Sequence, residues 1–132
     1  MTDLMKIQPL KHVEKEWGYE DWLTNSPEYC TKVLSLNKGF RCSLHHHEIK
    51  DETFYIVKGR VLIEKELDII QEAILLPGDA VRIFPGMKHR FSGLEDSVIL
   101  EASTHHEDSD SYRVEGQLSG RVPEKIMWRY SK

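Results

Sequence analysis

The stretch 39–59, GFRCSLHHHEIKDETFYIVKG, decides how this chain is read. Five of its residues stand out by type and spacing: Gly39, His45, His47, Glu52 and Gly59. Residues two apart on a strand share a face, so His45 and His47 project together and His46 projects the other way. Two imidazoles on one strand face chelate a single ion. Glu52 follows a polar stretch, 49–51, where the chain turns, and brings a carboxylate in from the next strand. His89 sits just after Pro85-Gly86 on a separate segment and closes the set from across the fold. Three imidazoles and one carboxylate favour one divalent first-row metal: Mn, Fe, Co, Ni or Zn. An octahedral ion held by four such ligands keeps two positions for a pair of substrate oxygens, where it acts as a Lewis acid.

On both sides of this stretch the chain is a series of short apolar runs cut by turn residues. The runs predict strands over 18–23, 29–36, 40–47, 53–57, 61–65, 73–76, 80–84, 89–91 and 98–102. Val, Ile, Phe, Tyr and Leu dominate them, and Gly and Pro punctuate them. Short strands at such intervals in 132 residues predict an all-β sandwich or small barrel. One or two helical turns are expected over 123–130, after Pro123. The segment 2–16 is left open between helix and strand.

Composition narrows the function. Eighteen Lys and Arg face 22 acids, a net charge of −4, so no basic excess points to nucleic acid. No apolar run is long enough to span a bilayer, and the first residues lack a signal-peptide core. A cytoplasmic protein is expected, with Cys30 and Cys42 as reduced thiols. The size fits one domain over 1–132, with a barrel core at about 29–104.

The spacing of the five residues resembles the first motif of the cupin superfamily, G(x)5HxH(x)3–4E(x)6G, without departure. The second cupin motif, G(x)5PxGxxH(x)3N, is similar to the stretch from Gly78 through Gly86 and His89. It departs at two places: Phe84 stands where proline is expected, and Gly93 where asparagine is expected. The resemblance implies a double-stranded β-helix of jelly-roll type. The flanks look like one branch. Glu16-Trp17-Gly18-Tyr19-Glu20 resembles the opening RPWGxYE of type II phosphomannose isomerase domains. Lys88 and Arg90 match that family's GDxxxIPxGxKHR segment. Glu101-Ala102-Ser103-Thr104 and the run from Asp108 to Arg113 resemble the ending of lyxose-isomerase-type cupins.

These resemblances imply a sugar or sugar-phosphate ligand and a metal-dependent aldose–ketose isomerase. The same ligand set also serves cupin dioxygenases, and a small cupin can be a sugar-binding module without catalysis. For isomerisation, Glu101 is the expected base and Lys50 a donor to a substrate oxygen. Arg82, Lys88 and Arg90 are expected to hold a phosphate or carboxylate. His105 and His106 are read as loop residues, because the run after them is polar throughout. Cys42, at an odd offset from His45, is expected to face away from the metal. The resemblance further implies a homodimer, with the Trp-rich segment 17–23 contributing to its interface.

Overall fold

The sequence alternates along its best strands, and the structure, a computed structural model describing residues 8–131, shows what that alternation builds. Cys30, Lys32, Leu34 and Leu36 point inward from β3 (Cys30–Leu36). Glu52, Phe54 and Ile56 do so from β6 (Glu52–Lys58). The other strands are β1 (Lys11–Lys15), β2 (Gly18–Asn25), β4 (Phe40–Arg41), β5 (His45–His46) and β7 (Val61–Glu66). After them come β8 (Ile70–Leu75), β9 (Ala80–Ile83), β10 (Lys88–Gly93), β11 (Ser97–Ser103), β12 (Tyr112–Arg113) and β13 (Gly120–Arg121). A single short helix, α1 (Glu124–Arg129), starts after Pro123 as expected.

Two antiparallel sheets form. One runs β1-β2-β3-β11-β6-β9. In the other, β10 pairs with β4 and β5 on one side and with β7 on the other, and β8, β12, β13 extend it. The all-β architecture of two packed antiparallel sheets that the sequence implied is therefore present. Of the open segment 2–16, residues 11–15 form a hairpin strand on β2; residues 2–7 lie outside the described residues.

The register of the first sheet sorts its inner face into rows. Glu20, Leu34, Ile99 and Ile56 form one row, and Trp22, Lys32, Glu101, Phe54 and Val81 form the next. Asn25, Cys30, Ser103, Glu52 and Ile83 form a third. The apolar core, with Trp17, Leu34, Leu36, Ile56, Val61, Ile63, Phe91 and Ile99, fills one end of the barrel. Charged members of these rows, with Trp17, Leu34, Leu36, Phe91 and Ile99 from the edge of that core, line a cavity.

The expected strand 40–47 is broken. Residues 42–44 leave the ladder between β4 and β5, and the Leu44 N–H donates to the Gln117 carbonyl instead. The break resets the two-residue alternation. Cys42 therefore lines the cavity, contrary to expectation, and its sulfur accepts the Phe91 N–H at 3.2 Å. Both cysteines are free. The tail holds β12 and β13, which the polar sequence did not suggest; they close the second sheet on β5 and β4. Among the described residues no helix is long and apolar enough to cross a membrane.

The two motif glycines bracket the site strands for different reasons. Gly59 has φ +97°, and a Cβ there would lie 2.2 Å from Ser97 Oγ and 2.6 Å from the Asp96 carbonyl oxygen. Gly39 has φ +82° but open space around it. Gly39→Ala is expected to cost about 1 kcal/mol of backbone strain. Gly59→Ala adds a steric clash and is expected to cost about 3 kcal/mol. Urea unfolding of the two variants measures the difference; equal losses would remove the steric argument.

Candidate metal centre

Three imidazoles meet at one end of the barrel, as the motif spacing requires. His45 comes from β5, His47 from the residue just after it, and His89 from β10 directly opposite His45 in the ladder. Their ligand atoms all lie within 4.8 Å of one another. His46 points away, stacks on Tyr112 and hydrogen-bonds Glu48.

The protonation of these rings follows from their partners. Nδ1 of His45 lies 2.8 Å from the Ser43 carbonyl, Nδ1 of His47 2.8 Å from the Asp110 carbonyl, and Nδ1 of His89 3.1 Å from the Met87 carbonyl. A carbonyl oxygen only accepts, so each Nδ1 holds the proton and each Nε2 keeps its lone pair. Glu52 reaches the same place: its carboxylate lies 3.6 Å from His47 Nε2 and 3.3 Å from His89 Nε2. Its Oε2 is buried without a hydrogen-bond partner. Three nitrogen lone pairs and a carboxylate oxygen thus converge with no donor among them. That donor set fits a divalent transition ion, and the backbone carbonyls behind each ring orient the ligands.

Burial pushes the His45 pKa down to about 3, and the neighbouring His89 adds to this. Burial lowers His47 as well. Unfolded, His45 takes up a proton near 6.5; folded, it does so only near 3. Between those values the unfolded chain binds more protons, so stability falls as pH falls. The expected slope is about 1.4 kcal/mol per pH unit for this ring. Melts of chelator-treated protein between about pH 5 and 6.5 should show it, and His45→Gln should flatten it. An unchanged slope in that variant would contradict the burial argument.

A charged cluster adjoins the triad. Lys50 is buried, at 3% exposure. Its ammonium lies 2.9 Å from Glu52 Oε1, 3.3 Å from Glu101 Oε2 and 2.9 Å from His106 Nδ1. Three donors meet three acceptors. Burial alone would lower the Lys50 pKa; Glu101 and Glu52 outweigh it and raise it. Burial would likewise raise Glu52, but the Lys50 ammonium beside it helps to hold it below the usual carboxylate range. Glu101 also accepts the Ser103 hydroxyl at 3.0 Å. It lines the cavity and pairs with Lys50.

The three cations expected to hold an anion lie elsewhere. Arg82 is on the outer face of β9, exposed, in a bidentate pair with Asp51. Lys88 alternates with His89 on β10 and does not line the cavity. Arg90 is buried, but its guanidinium donates to the carbonyls of Cys42, Gln117 and Leu118, and so ties the tail to the sheet. Strand alternation explains all three: each is out of phase with the inward residues beside it.

Sequence reasoning passed over four residues. His106, read as a loop residue, lines the cavity; it accepts from Lys50 and its Nε2 donates to Asp108. His105 stays in the loop, bonded to Ser26 and Glu107. Asp110 accepts the backbone N–H groups of Glu48, Ile49 and Lys50. Burial would raise its pKa; these three donors outweigh that and lower it. Lys32 and Glu20 face the cavity from β3 and β2. Their signal was available: Lys32 is in phase with Leu34 and Leu36, and Glu20 with Trp22.

The cavity is about 650 Å³ and is lined by the three imidazoles, Glu52, Lys50, Glu101, His106, Lys32 and Glu20 together with Trp17, Trp22, Phe54 and Phe91. Residues 32–103 match the family model described as the cupin domain. This chain belongs to the cupin domain family. The cupin fold recurs in solved structures. KdgF from a Halomonas species superposes with a TM-score of 0.62 at 24% identity, over 69% of this chain and 81% of its own. The capsular polysaccharide assembling protein CapF from Staphylococcus aureus gives 0.73 at 23%, over 82% of this chain. Oxalate decarboxylase from Bacillus subtilis gives 0.71 at 14%, over 90%. This cupin spans only about a third of each of the latter two, 32% and 33%. No curated protein matches it significantly by sequence.

Proposed function

We propose that this cupin is a metal-dependent isomerase that interconverts an aldose and a ketose. One observation carries the reading. A buried carboxylate, Glu101, sits in the same cavity as the His45–His47–His89–Glu52 set, joined to Glu52 through one shared lysine. At the identities found, the structural neighbours are alike in fold alone, so the reading stands on this cavity.

His45, His47, His89 and Glu52 would hold the ion. When bound, it supplies Lewis-acid polarisation of a carbonyl and its neighbouring hydroxyl. Isomerisation then needs a base beside the two carbons. Glu101 takes the proton from C2, giving an enediol, and returns it to C1, while the hydroxyl proton passes from O2 to the adjacent O1. Lys50 holds Glu101 in place, because its three donors are committed to Glu52, Glu101 and His106. Lys50 is thus a positioning residue and not the free donor that the sequence suggested. Phe54, Phe91, Trp17 and Ile99 wall the cavity and reduce water around the reacting carbons.

The test is reconstitution with Mn, Fe, Co, Ni and Zn in turn, each with free pentoses and hexoses and their phosphates in D2O. Deuterium incorporation at C1 or C2 with a shifted aldose–ketose ratio is the expected result. Glu101→Gln should lower that exchange by about 100-fold or more while metal content stays the same. Oxygen uptake by the Fe form without isomerisation would make the protein an oxygenase. Saturable sugar binding with neither reaction would make it a binding module.

A further inference from the structure

The wall of the cavity formed by β2 and β3 holds a lysine whose donors are not matched by hydrogen bonds. Lys32 is 2% exposed and lines the cavity. Among the described residues its ammonium makes no hydrogen bond. Its partners are Glu20 Oε1 at 3.6 Å and the Trp22 ring at 4.1 Å to the centroid. Lys50, by contrast, has all three donors matched. Burying an ammonium with unmet donors is costly unless something else satisfies them. Glu20 is a half-used acceptor beside it. Its Oε1 takes the Trp22 indole N–H at 2.9 Å, and Oε2 makes no hydrogen bond among the described residues.

We infer that Lys32 and Glu20 form a second recognition point, which reads neighbouring hydroxyls at the far end of an unphosphorylated sugar. The inference rests on the isomerase reading for what happens at the other end of the ligand. A hydroxyl both accepts and donates, so it suits a spare ammonium donor beside a spare carboxylate acceptor. Charge separates this from phosphate recognition. Lys32 and Glu20 cancel locally, so the pair offers no net attraction to a dianion. The positive charge that a divalent ion would add lies at the triad, where the reacting oxygens belong. The remaining lining cations, Lys15 and Arg113, are exposed. Register fixes the pair in place: Lys32 lies between Trp22 and Glu101 in one row, and Glu20 lies one row deeper.

The test uses alditols, which have no carbonyl and cannot turn over. Xylitol, mannitol and the 6-phosphate of mannitol are titrated calorimetrically into Mn-loaded full-length protein, Lys32→Met, Glu20→Gln and the double variant, which keeps the local charge balance. The expected result is binding of a free alditol, no tighter binding of the phosphate, and about 10- to 100-fold weaker alditol binding in each single variant with metal content unchanged. The double variant, with no buried charge left unpaired, should fold and show the same loss. The inference is overturned if the phosphate binds more than about tenfold tighter, if the variants bind alditols as the parent does, or if no alditol binds. Alditol binding that needs Lys32 and Glu20, without any isomerisation, keeps the subsite and removes the isomerase reading. Isomerisation indifferent to both residues does the reverse.

Discussion

His89→Ala is expected to abolish stoichiometric metal binding, while His46→Ala, in the most conspicuous histidine run, leaves it intact. His89 is 1% exposed, and its Nε2 faces both the Glu52 carboxylate and the other two rings. Removing it takes away one of three imidazoles. Loss of a mere outer-shell partner typically costs 10–100-fold in metal affinity, so loss of a ligand should cost more than about 100-fold. His46 hydrogen-bonds Glu48 and stacks on Tyr112, outside the site. Elemental analysis after dialysis, with a chelator competition for affinity, decides the matter. Equal metal content in the two variants would dissolve the proposed centre.

Lys50→Met is expected to destabilise the metal-free protein severely and to make it lean on metal for stability. The side chain neutralises Glu52 and Glu101, which are 2% and 4% exposed. Breaking a buried pair by removing one partner typically costs 3–5 kcal/mol, because the surviving charge has no water and no counter-ion. Here two carboxylates would be left. For a domain of this size the expected fall in Tm is roughly 10–20 °C. A divalent ion at the triad supplies positive charge beside Glu52, so added metal should raise the Tm of the variant by more than it raises the parent. Equal metal-induced shifts would mean that Lys50 and the ion do not share Glu52. Methionine is the right replacement because it keeps most of the lysine stem volume in a packed wall.

The convergence of the three imidazoles was legible in the sequence because their spacing is set by backbone geometry. His45 and His47 share a strand face, His46 is excluded from it, and the positions of Glu52 and Gly59 follow from the turn and the strand that comes next. The inward faces of β3 and β6 were legible for the same reason, since both alternate cleanly, whereas the nine expected strands became thirteen among the described residues. What failed was local alternation across a break. Cys42 reached the cavity because residues 42–44 leave the ladder. The substrate-binding expectation failed differently. Arg82, Lys88 and Arg90 lie near the second motif in sequence, but nearness along a strand says nothing about face. Phase does, and it would have favoured Lys32 and Glu20. His106 and Asp110 could not be found that way. They sit in an irregular segment whose path is fixed by long-range contacts, with Asn25 and with the turn at 48–50.

Asp110 also bears on when the centre can exist. The histidines and Glu52 are all synthesised before residue 107, but the carbonyl that fixes the His47 ring and the carboxylate that gathers the 48–50 turn come only afterwards, from Asp110. The strands that close the second sheet on β5 and β4 come later still. A nascent chain therefore carries its ligands before it carries their alignment. The alignment of His47 waits on Asp110, and a chain cut after residue 107 would keep all four candidate ligands and lose the carbonyl that holds the His47 ring.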